Sequence, residues 1–423
     1  MSTLFDRLKE RGFIEAVTDE KLPDYLEEKP FTVYVGFDPT ADSLHLGHLL
    51  PIMAMHWFQQ AGHRVLLLVG GATGMVGDPS GRSDERNLLT KEEIDENVRK
   101  VKLQIGKFID FDSDNPAEIV NNIDWIGPMT FIDWLRDVGK HFNINHMLAK
   151  DSVKSRLASE TGISYTEFSY QTMQAYDFKY LCEHEDCLLQ CGGSDQWGNI
   201  TAGIDLVRKS LQKQAYGITF PLLATSSGEK FGKSAGNAVW LDPELTSPYK
   251  FYQYWINSSD DDVERFLNYF TFMDMSDIAA VVDEHAAEPH RRLGQNRLAA
   301  EMTRLVHGEE GLKIAELASN ILFGGDIEGL SDAELSDIFA DVPSSEMAMA
   351  DLEQGMSVID VFSACGLAKS KGDARRLIQG GGARVNNQKI AGIEAEITKD
   401  MLASESCIVL RSGKKNYHLI KFK

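Results

Sequence analysis

Apolar positions along the chain change period several times, and each change predicts an element. Residues 31–37 form a β-branched and aromatic run that stops at Asp38-Pro39-Thr40, which predicts a buried strand ending in a turn. From His45 onward Leu46, Leu49, Leu50, Met53 and Trp57 recur at helical spacing. Further strands are predicted at 64–69, 119–126, 187–191 and 218–223, and helices at 91–108, 128–138 and 166–182, after an acidic helical start at 4–28. This alternation implies an α/β, Rossmann-like parallel sheet covered by helices, with ligands beyond the carboxyl ends of its strands.

Beyond residue 247 the strand signals fade, and 248–320 reads as helices, with Pro248 and Pro289 near helix starts. Residues 319–355 hold nine acidic residues and no Lys or Arg, which predicts linker at their ends. Two short helices (357–365 and 373–379), the break Gly380-Gly381-Gly382 and a hairpin at 383–390 follow. The expected domains are therefore a sheet domain 1–246, an all-α domain 247–320, an acidic linker 321–354 and a small α+β domain 355–423.

A length of 423 residues fits two or three domains, each able to bury a core. The net charge of −21 argues against a chain coated in nucleic acid, yet residues 355–423 hold 12 Lys and Arg against 6 Asp and Glu. Lys369, Lys371, Arg375, Arg376 and Arg384 are expected on one side of this basic end. Five cysteines give no disulfide framework and fit a reducing cytoplasm. Cys182, His184, Cys187 and Cys191 crowd together, but strand-like 187–191 favours buried thiols over zinc, and no metal site is expected. Asp6, Arg7, Lys9 and Glu10 occupy the place of a signal-peptide core, and no apolar run reaches membrane-spanning length. A cytoplasmic protein with no membrane partner is expected.

The chemistry concentrates where the first strand meets its helix. His45 and His48 are one turn apart on one face, Gly47 leaves room for a flat ring, and a helix N-terminus favours phosphate. Two histidines on a helix are more often capping or surface residues, so the tetrapeptide alone is a weak motif. The loop 70–81 is glycine-rich but is neither GxGxxG nor a P-loop. Gly228-Glu-Lys-Phe-Gly232-Lys233-Ser234 comes closer to a P-loop but has one residue too few between its glycines. Tyr170, Gln174 and Asp177 fall at i, i+4 and i+7 and line one helix face.

Taken together, His45-Leu-Gly-His48, the distant Lys230-Phe-Gly-Lys233-Ser234 and Gly192-Gly193-Ser194-Asp195-Gln196-Trp197 resemble the signatures of class I aminoacyl-tRNA synthetases. Their spacing and the residues near Tyr34 narrow the resemblance to the bacterial tyrosyl-tRNA synthetase family, over nearly the whole chain. It implies that tyrosine attacks the ATP α-phosphate to give tyrosyl-adenylate and pyrophosphate, and that a terminal ribose hydroxyl of tRNA(Tyr) takes the tyrosyl group. Both steps need positioning and charge neutralisation more than covalent catalysis. ATP is a substrate with Mg2+ accompanying it, and the partners are L-tyrosine, ATP, tRNA(Tyr) and a second copy of the chain in a homodimer.

Residue by residue, the resemblance places Thr40 and His45 at the γ-phosphate, His48 against the nucleoside, and Lys230 and Lys233 on a mobile pyrophosphate loop. Gly36, Asp38 and Gly47 join the ATP site. Tyr34 and Asp177 match groups bonding the substrate phenol, and Asp78, Tyr170 and Gln174 match those around its ammonium group. Gln190, Gly192, Gly193, Asp195 and Gln196 match positions around the adenylate and bound tyrosine. Arg82 and Arg86 are further phosphate candidates. A donor and an acceptor for a phenol penalise phenylalanine, because a buried polar group left unpaired costs about 1–3 kcal/mol. Gly232 stands where the wider class has a serine, a variant typical of the tyrosyl family. The small terminal domain resembles an S4-type RNA-binding module, and 248–320 matches an anticodon-binding domain with Arg291, Arg292, Arg297 and Arg304 as candidate phosphate contacts. Apolar residues of 128–148 (Phe131, Trp134, Leu135, Phe142, Met147) suit either a dimer interface or a core. Three alternatives stay open: a tryptophanyl-tRNA synthetase, an HxGH nucleotidyltransferase, and a non-catalytic RNA-binding protein.

Overall fold

The structure, a computed structural model, describes residues 2–423 except 40, 42, 81–89, 159–161, 227, 229, 230, 235, 236, 328, 329, 340 and 341, and except the side chains of 91, 151, 152, 155, 233, 234, 237 and 337. Thr40, Lys230, Arg82 and Arg86 therefore lie outside the described residues, as does the side chain of Lys233. The chain divides into two compact units: Met1–Asp242 with Ser258–Leu298, and Pro243–Asn257 with Ala299–Lys423.

In the first unit β1 (Ala16–Val17), β2 (Thr32–Phe37), β3 (Arg64–Val69), β4 (Glu118–Asn121), β5 (Cys187–Gly193) and β6 (Tyr216–Phe220) form one sheet in the order β1-β6-β5-β2-β3-β4. The five longer strands are parallel and only β1 runs antiparallel, against β6. Alternation decides which face each residue serves. Tyr34, Leu66 and Leu68 enter the core beneath the helices Tyr165–His184 and Trp197–Leu211 with Phe178, Leu181 and Val207. The helix Leu49–Gln60, nearly all of it buried, packs on β2, β3 and β5. Chain order reverses between β2 and β5, so the crevice beyond their carboxyl ends is the ligand position of a doubly wound sheet.

Local chemistry shortened several expected elements. The strand expected over 119–126 stops at Asn121, whose side chain accepts the Ile123 amide at 3.2 Å, and Ile123–Ile126 is a helical turn. The helix expected over 128–138 starts at Phe131 behind a Thr130 cap, widens into a π turn at Trp134–Val138, and gives way to a separate helix, Ile144–Leu148, capped by Asn143. The start of the chain is two helices, Leu4–Glu10 and Leu22–Glu28, with β1 between them.

Residues expected to form one helical domain are shared between the units, with Asp260–Phe270 and Met275–Ala287 in the first. The acidic stretch is not a linker. Ile327, Leu335, Ile338 and Phe339 bury against Val409, Tyr417 and Leu419, and Asp332 accepts hydrogen bonds from Ser404 and Ser406. Leu335, Ile338 and Phe339 recur at helical spacing and fill a core with Ile327. Strand Ser344–Met347 adds in parallel to a sheet ordered Gln388–Lys389, Ala383–Val385, Cys407–Ser412, Asn416–Phe422, Ser344–Met347.

Candidate active site

At the carboxyl end of β2 the chain turns through His45-Leu46-Gly47-His48. The Gly47 amide donates to His45 Nδ1 at 3.0 Å and the His45 amide donates to His48 Nδ1 at 3.2 Å, so the two side chains cap the turn reciprocally. Their rings stack with centroids 3.9 Å apart. A side chain on Gly47 would stand 2.8 Å from His45 Cε1, so the glycine makes room for the His45 ring. Phe37, Asp38, Pro39, His45, His48 and Trp240 line a cleft of about 190 Å³ in front of this turn.

The second motif meets the first through its backbone. The Val239 amide donates to the Gly232 carbonyl at 2.8 Å, and the Leu46 amide donates to the Val239 carbonyl at 3.0 Å. Gly232 has φ +77°, and a β-carbon there would lie 3.3 Å from Leu46 Cβ and 3.4 Å from the Gly47 nitrogen. Residues 233 and 234 pair with 238 and 237 in a short hairpin.

Beneath the cleft two hydrogen-bond chains organise the polar side chains. In one, Tyr170 Oη donates to Asp38 (3.1 Å), Thr73 Oγ1 donates to Asp38 (2.8 Å), Asn122 donates to both Thr73 Oγ1 (3.0 Å) and Asp177 (3.0 Å), and the Trp125 indole donates to Asp177 (2.8 Å). Gly70 is required here, because a β-carbon would sit 2.2 Å from both Asp38 Oδ1 and Thr73 Oγ1. In the other, Gln196 Nε2 donates to Asp78 (2.7 Å) and Asp195 (3.1 Å), while Asn199 donates to Gln174 (3.0 Å) and Gln196 (3.2 Å).

Burial dominates the electrostatics. It raises the Asp177 carboxyl to about 7, against the opposing pull of the Asn122 and Trp125 donors. The Tyr170 phenol is held well above its ordinary value by burial and then by Asp38 and Asp78. Tyr34 is also raised, first by burial and then by Asp177. Among the described residues its hydroxyl is buried with no hydrogen-bond partner, and so is Oε1 of Gln190, its neighbour in register across β2 and β5. A buried polar atom without a partner is uncommon and calls for an explanation, a bound water or ligand among them.

Residues 26–324 match the family model of the class I tRNA synthetases (W and Y), and residues 334–420 match the SYY-like C-terminal domain of tyrosine–tRNA ligase. A tyrosine–tRNA ligase of Roseiflexus castenholzii is 51% identical over 423 residues, covering 100% of both chains. The chain belongs to the tyrosine–tRNA ligase family. A Geobacillus stearothermophilus tyrosine–tRNA ligase is 49% identical, covering 99% of each chain. Among solved structures, a C-terminally truncated mitochondrial tyrosyl-tRNA synthetase of Aspergillus nidulans matches with TM-score 0.69 and 32% identity, covering 76% of this chain and 95% of that one.

Within this tyrosine–tRNA ligase scaffold the structure gathers Tyr34, Asp38, Asp78, Tyr170, Gln174, Asp177, Asp195 and Gln196 around the crevice between β2 and β5. Gly36 is exposed on β2, and Gly192 closes on Gln196, where a β-carbon would lie 3.0 Å from Gln196 Cβ. Asn122, Trp125, Thr73, Asn199 and Trp240 were not anticipated. Asn122 and Trp125 fell inside a predicted strand, and the turn signal that marked them was the Asn121-Asn122 pair. Cys182, Cys187 and Cys191 are buried thiols, and among the described residues no group of three or more His, Cys, Asp or Glu is placed to hold a metal. In the second unit Lys369, Lys371, Arg375 and Arg376 are exposed, Lys371 pairing with Asp360 (2.8 Å) and Arg376 with Asp373 (3.4 Å), while half-buried Arg384 donates to the Asn387 carbonyl. No described helix is long and apolar enough to cross a membrane.

Proposed function

We propose that the protein activates L-tyrosine with ATP, releasing pyrophosphate, and then esterifies the tyrosyl group to the 3′-terminal adenosine of tRNA(Tyr). The observation that carries this reading is the seating of Gly232 against Leu46 and Gly47, which supports a single phosphate site shared by the histidine turn and the lysine loop. In that site Thr40 and His45 hold the γ-phosphate, Lys230 and Lys233 neutralise charge as it moves onto the leaving pyrophosphate, and His48 packs against the nucleoside. Lysine suits this task as a flexible point charge. Gly36, Asp38, Gly47, Gly192 and Asp195 shape the nucleotide side, and Mg2+ arrives with ATP as part of the substrate.

The tyrosine phenol lies between Tyr34, whose hydroxyl lacks a partner among the described residues, and Asp177. Asp78, Tyr170, Gln174 and Gln196 receive the ammonium end. A tyrosine hydroxyl supplies what Tyr34 lacks; phenylalanine leaves it unpaired. The exposed apolar side chains Phe131, Ile132, Leu135, Ile144 and Leu148 support a homodimer through this surface, and the basic helix bearing Lys371, Arg375 and Arg376, with Lys369 and Arg384, supports contact with tRNA phosphates. The cytoplasm is the proposed location.

Pyrophosphate exchange into ATP, run separately with each of the twenty amino acids, tests the proposal. Tyrosine alone is expected to stimulate it. Stimulation by tryptophan and not tyrosine would move the chain to the sister specificity, and no stimulation at all would leave an RNA-binding scaffold.

A further inference from the structure

The lysine loop is held from outside the sheet, by one face of one helix. Asp262, Phe266 and Phe270 stand at i, i+4 and i+8 of Asp260–Phe270 and so project in one row. At the first position the buried Asp262 carboxylate accepts from the Ser226 amide (3.0 and 3.1 Å), the Ser226 hydroxyl (3.0 Å), the Ser259 hydroxyl (3.0 Å) and the Arg265 guanidinium. Arg265 also donates to the Ala224 carbonyl at 2.7 Å, so the pair grips the backbone on both sides of Thr225. At the other two positions Phe270 stacks on Phe231 at 5.2 Å and Phe266 meets it edge-on at 5.1 Å, leaving Phe231 only 5% exposed.

The gripped points, Ser226 and Phe231, bracket Lys230 in sequence, and Gly232 follows at its seat against the histidine turn. The helix is itself tied to the start of the chain. Arg11 donates to the carbonyls of Asn268 and Thr271, both at 3.0 Å, and its guanidinium lies 4.5 Å above the ring of Trp57. Trp57 belongs to the helix that the histidine turn opens. A carboxylate this deep in protein is costly to bury unless it is hydrogen-bonded or paired, and the donors that satisfy Asp262 are the loop's entry at Ser226 and the residues Ser259 and Arg265 beside it.

We propose that Asp262 is a positioning residue for adenylate formation: without touching substrate, it fixes where the lysine loop leaves the helix, and so sets the reach of Lys230 and Lys233 to the phosphates. This rests on the lysine assignment proposed above. A displacement of about 1 Å at a reacting centre is enough to cost on the order of a hundredfold in rate.

The test is single-turnover adenylate formation in the full-length chain, normalised to active sites counted by tyrosine binding. Asp262→Asn is expected to slow the step by about tenfold to a hundredfold with tyrosine affinity unchanged within about twofold. Combined with Lys233→Ala it is expected to add no further loss, because Asp262 acts through the lysines. A full rate in Asp262→Asn, or losses that multiply in the double variant, would overturn the proposal. An unaffected Lys233→Ala would overturn the lysine assignment first and this inference with it. If Asp262→Asn does not fold, the partly exposed Arg265→Met carries the same comparison: a slower step that does not multiply with Lys233→Ala supports the proposal, and an unchanged rate overturns it.

Discussion

A β-carbon on Gly232 would lie 3.4 Å from the backbone nitrogen of Gly47, so two glycines nearly two hundred residues apart meet where their motifs meet. A side chain would disturb each for a different reason. Gly232 has φ +77°, a conformation that costs an alanine about 1 kcal/mol, and its β-carbon would press on Leu46 Cβ at 3.3 Å. Gly232→Ala is expected to slow adenylate formation while leaving equilibrium tyrosine binding unchanged. Loss of tyrosine binding in a fluorescence titration would mean that the loop supports the amino-acid pocket instead.

Gly47→Ala acts on His45. The added carbon would stand 2.8 Å from His45 Cε1 and push the ring off its stack with His48. The variant is expected to resemble His45→Ala, with slowed exchange and little change in tyrosine affinity. A Gly47→Ala enzyme with full activity, beside a slow His45→Ala enzyme, would show that the stacked pose is not the working one.

Asp177 sets the pH dependence. Burial raises its folded value from 3.8 to about 7, so the carboxyl is mostly neutral below that value and mostly ionised above it. For stability the sign is unfavourable to the ionised fold: the folded state holds this proton more tightly than the unfolded chain, and stability declines as pH rises from about 4 to about 7. For tyrosine the sign reverses, since a carboxylate accepting a hydrogen bond from the phenol is favoured ionised. Affinity is therefore expected to rise as pH increases through about 7 and then level off, with protons released on binding. Calorimetry in buffers of differing ionisation heat measures that release, and Trp125→Phe, which removes a donor to the ionised form, is expected to shift the rise upward. A flat affinity between pH 6 and 8 would remove Asp177 from the phenol site.

Much of this was legible because local chemistry and tertiary structure agree. The strand at 64–69 matches at both ends, since five consecutive β-branched or leucine side chains follow Arg64 and a glycine pair ends the run. Tyr170, Gln174 and Asp177 share a helix face as their spacing requires. Sequence was silent where a residue's role comes from a partner far along the chain. Asn122 and Trp125 acquire theirs from Asp177, and nothing within a turn of either announces it. Composition misled at 321–354, where acidic residues outnumber the few apolar residues that hold the segment to Val409 and Tyr417.

Arg11 illustrates an anchor no motif reveals. It is 3% exposed, and burial lowers its guanidinium to about 10, which keeps it charged at neutral pH while it bonds the carbonyls ending the helix Asp260–Phe270. Arg11→Met keeps the apolar stem but strands those carbonyls, at a cost of about 2–4 kcal/mol. A melting temperature lowered by several degrees is expected, together with slower adenylate formation, because the same helix carries the loop. An unchanged melting curve would show that solvent replaces the lost donors.

The folded acidic segment changes where the chain can be cut. Ile327, Leu335, Ile338 and Phe339 share a core with Val409, Tyr417 and Leu419, so ending the chain at 354 strips one half of that core and leaves the other in water. Ending it at 325 removes both of these groups and uncovers only Ala318 and Ile321 of the same core, and the mitochondrial relative of known structure is itself C-terminally truncated. The shorter chain is expected to stay soluble, to retain tyrosine-dependent pyrophosphate exchange and to charge tRNA poorly, having lost Lys369, Lys371, Arg375, Arg376 and Arg384. The longer truncation is expected to aggregate through its uncovered apolar face. Light scattering and exchange rates on the two proteins check this: a well-behaved chain ending at 354 would show that the segment is stable without its sheet, and loss of exchange in the chain ending at 325 would show that the first step depends on the C-terminal sheet.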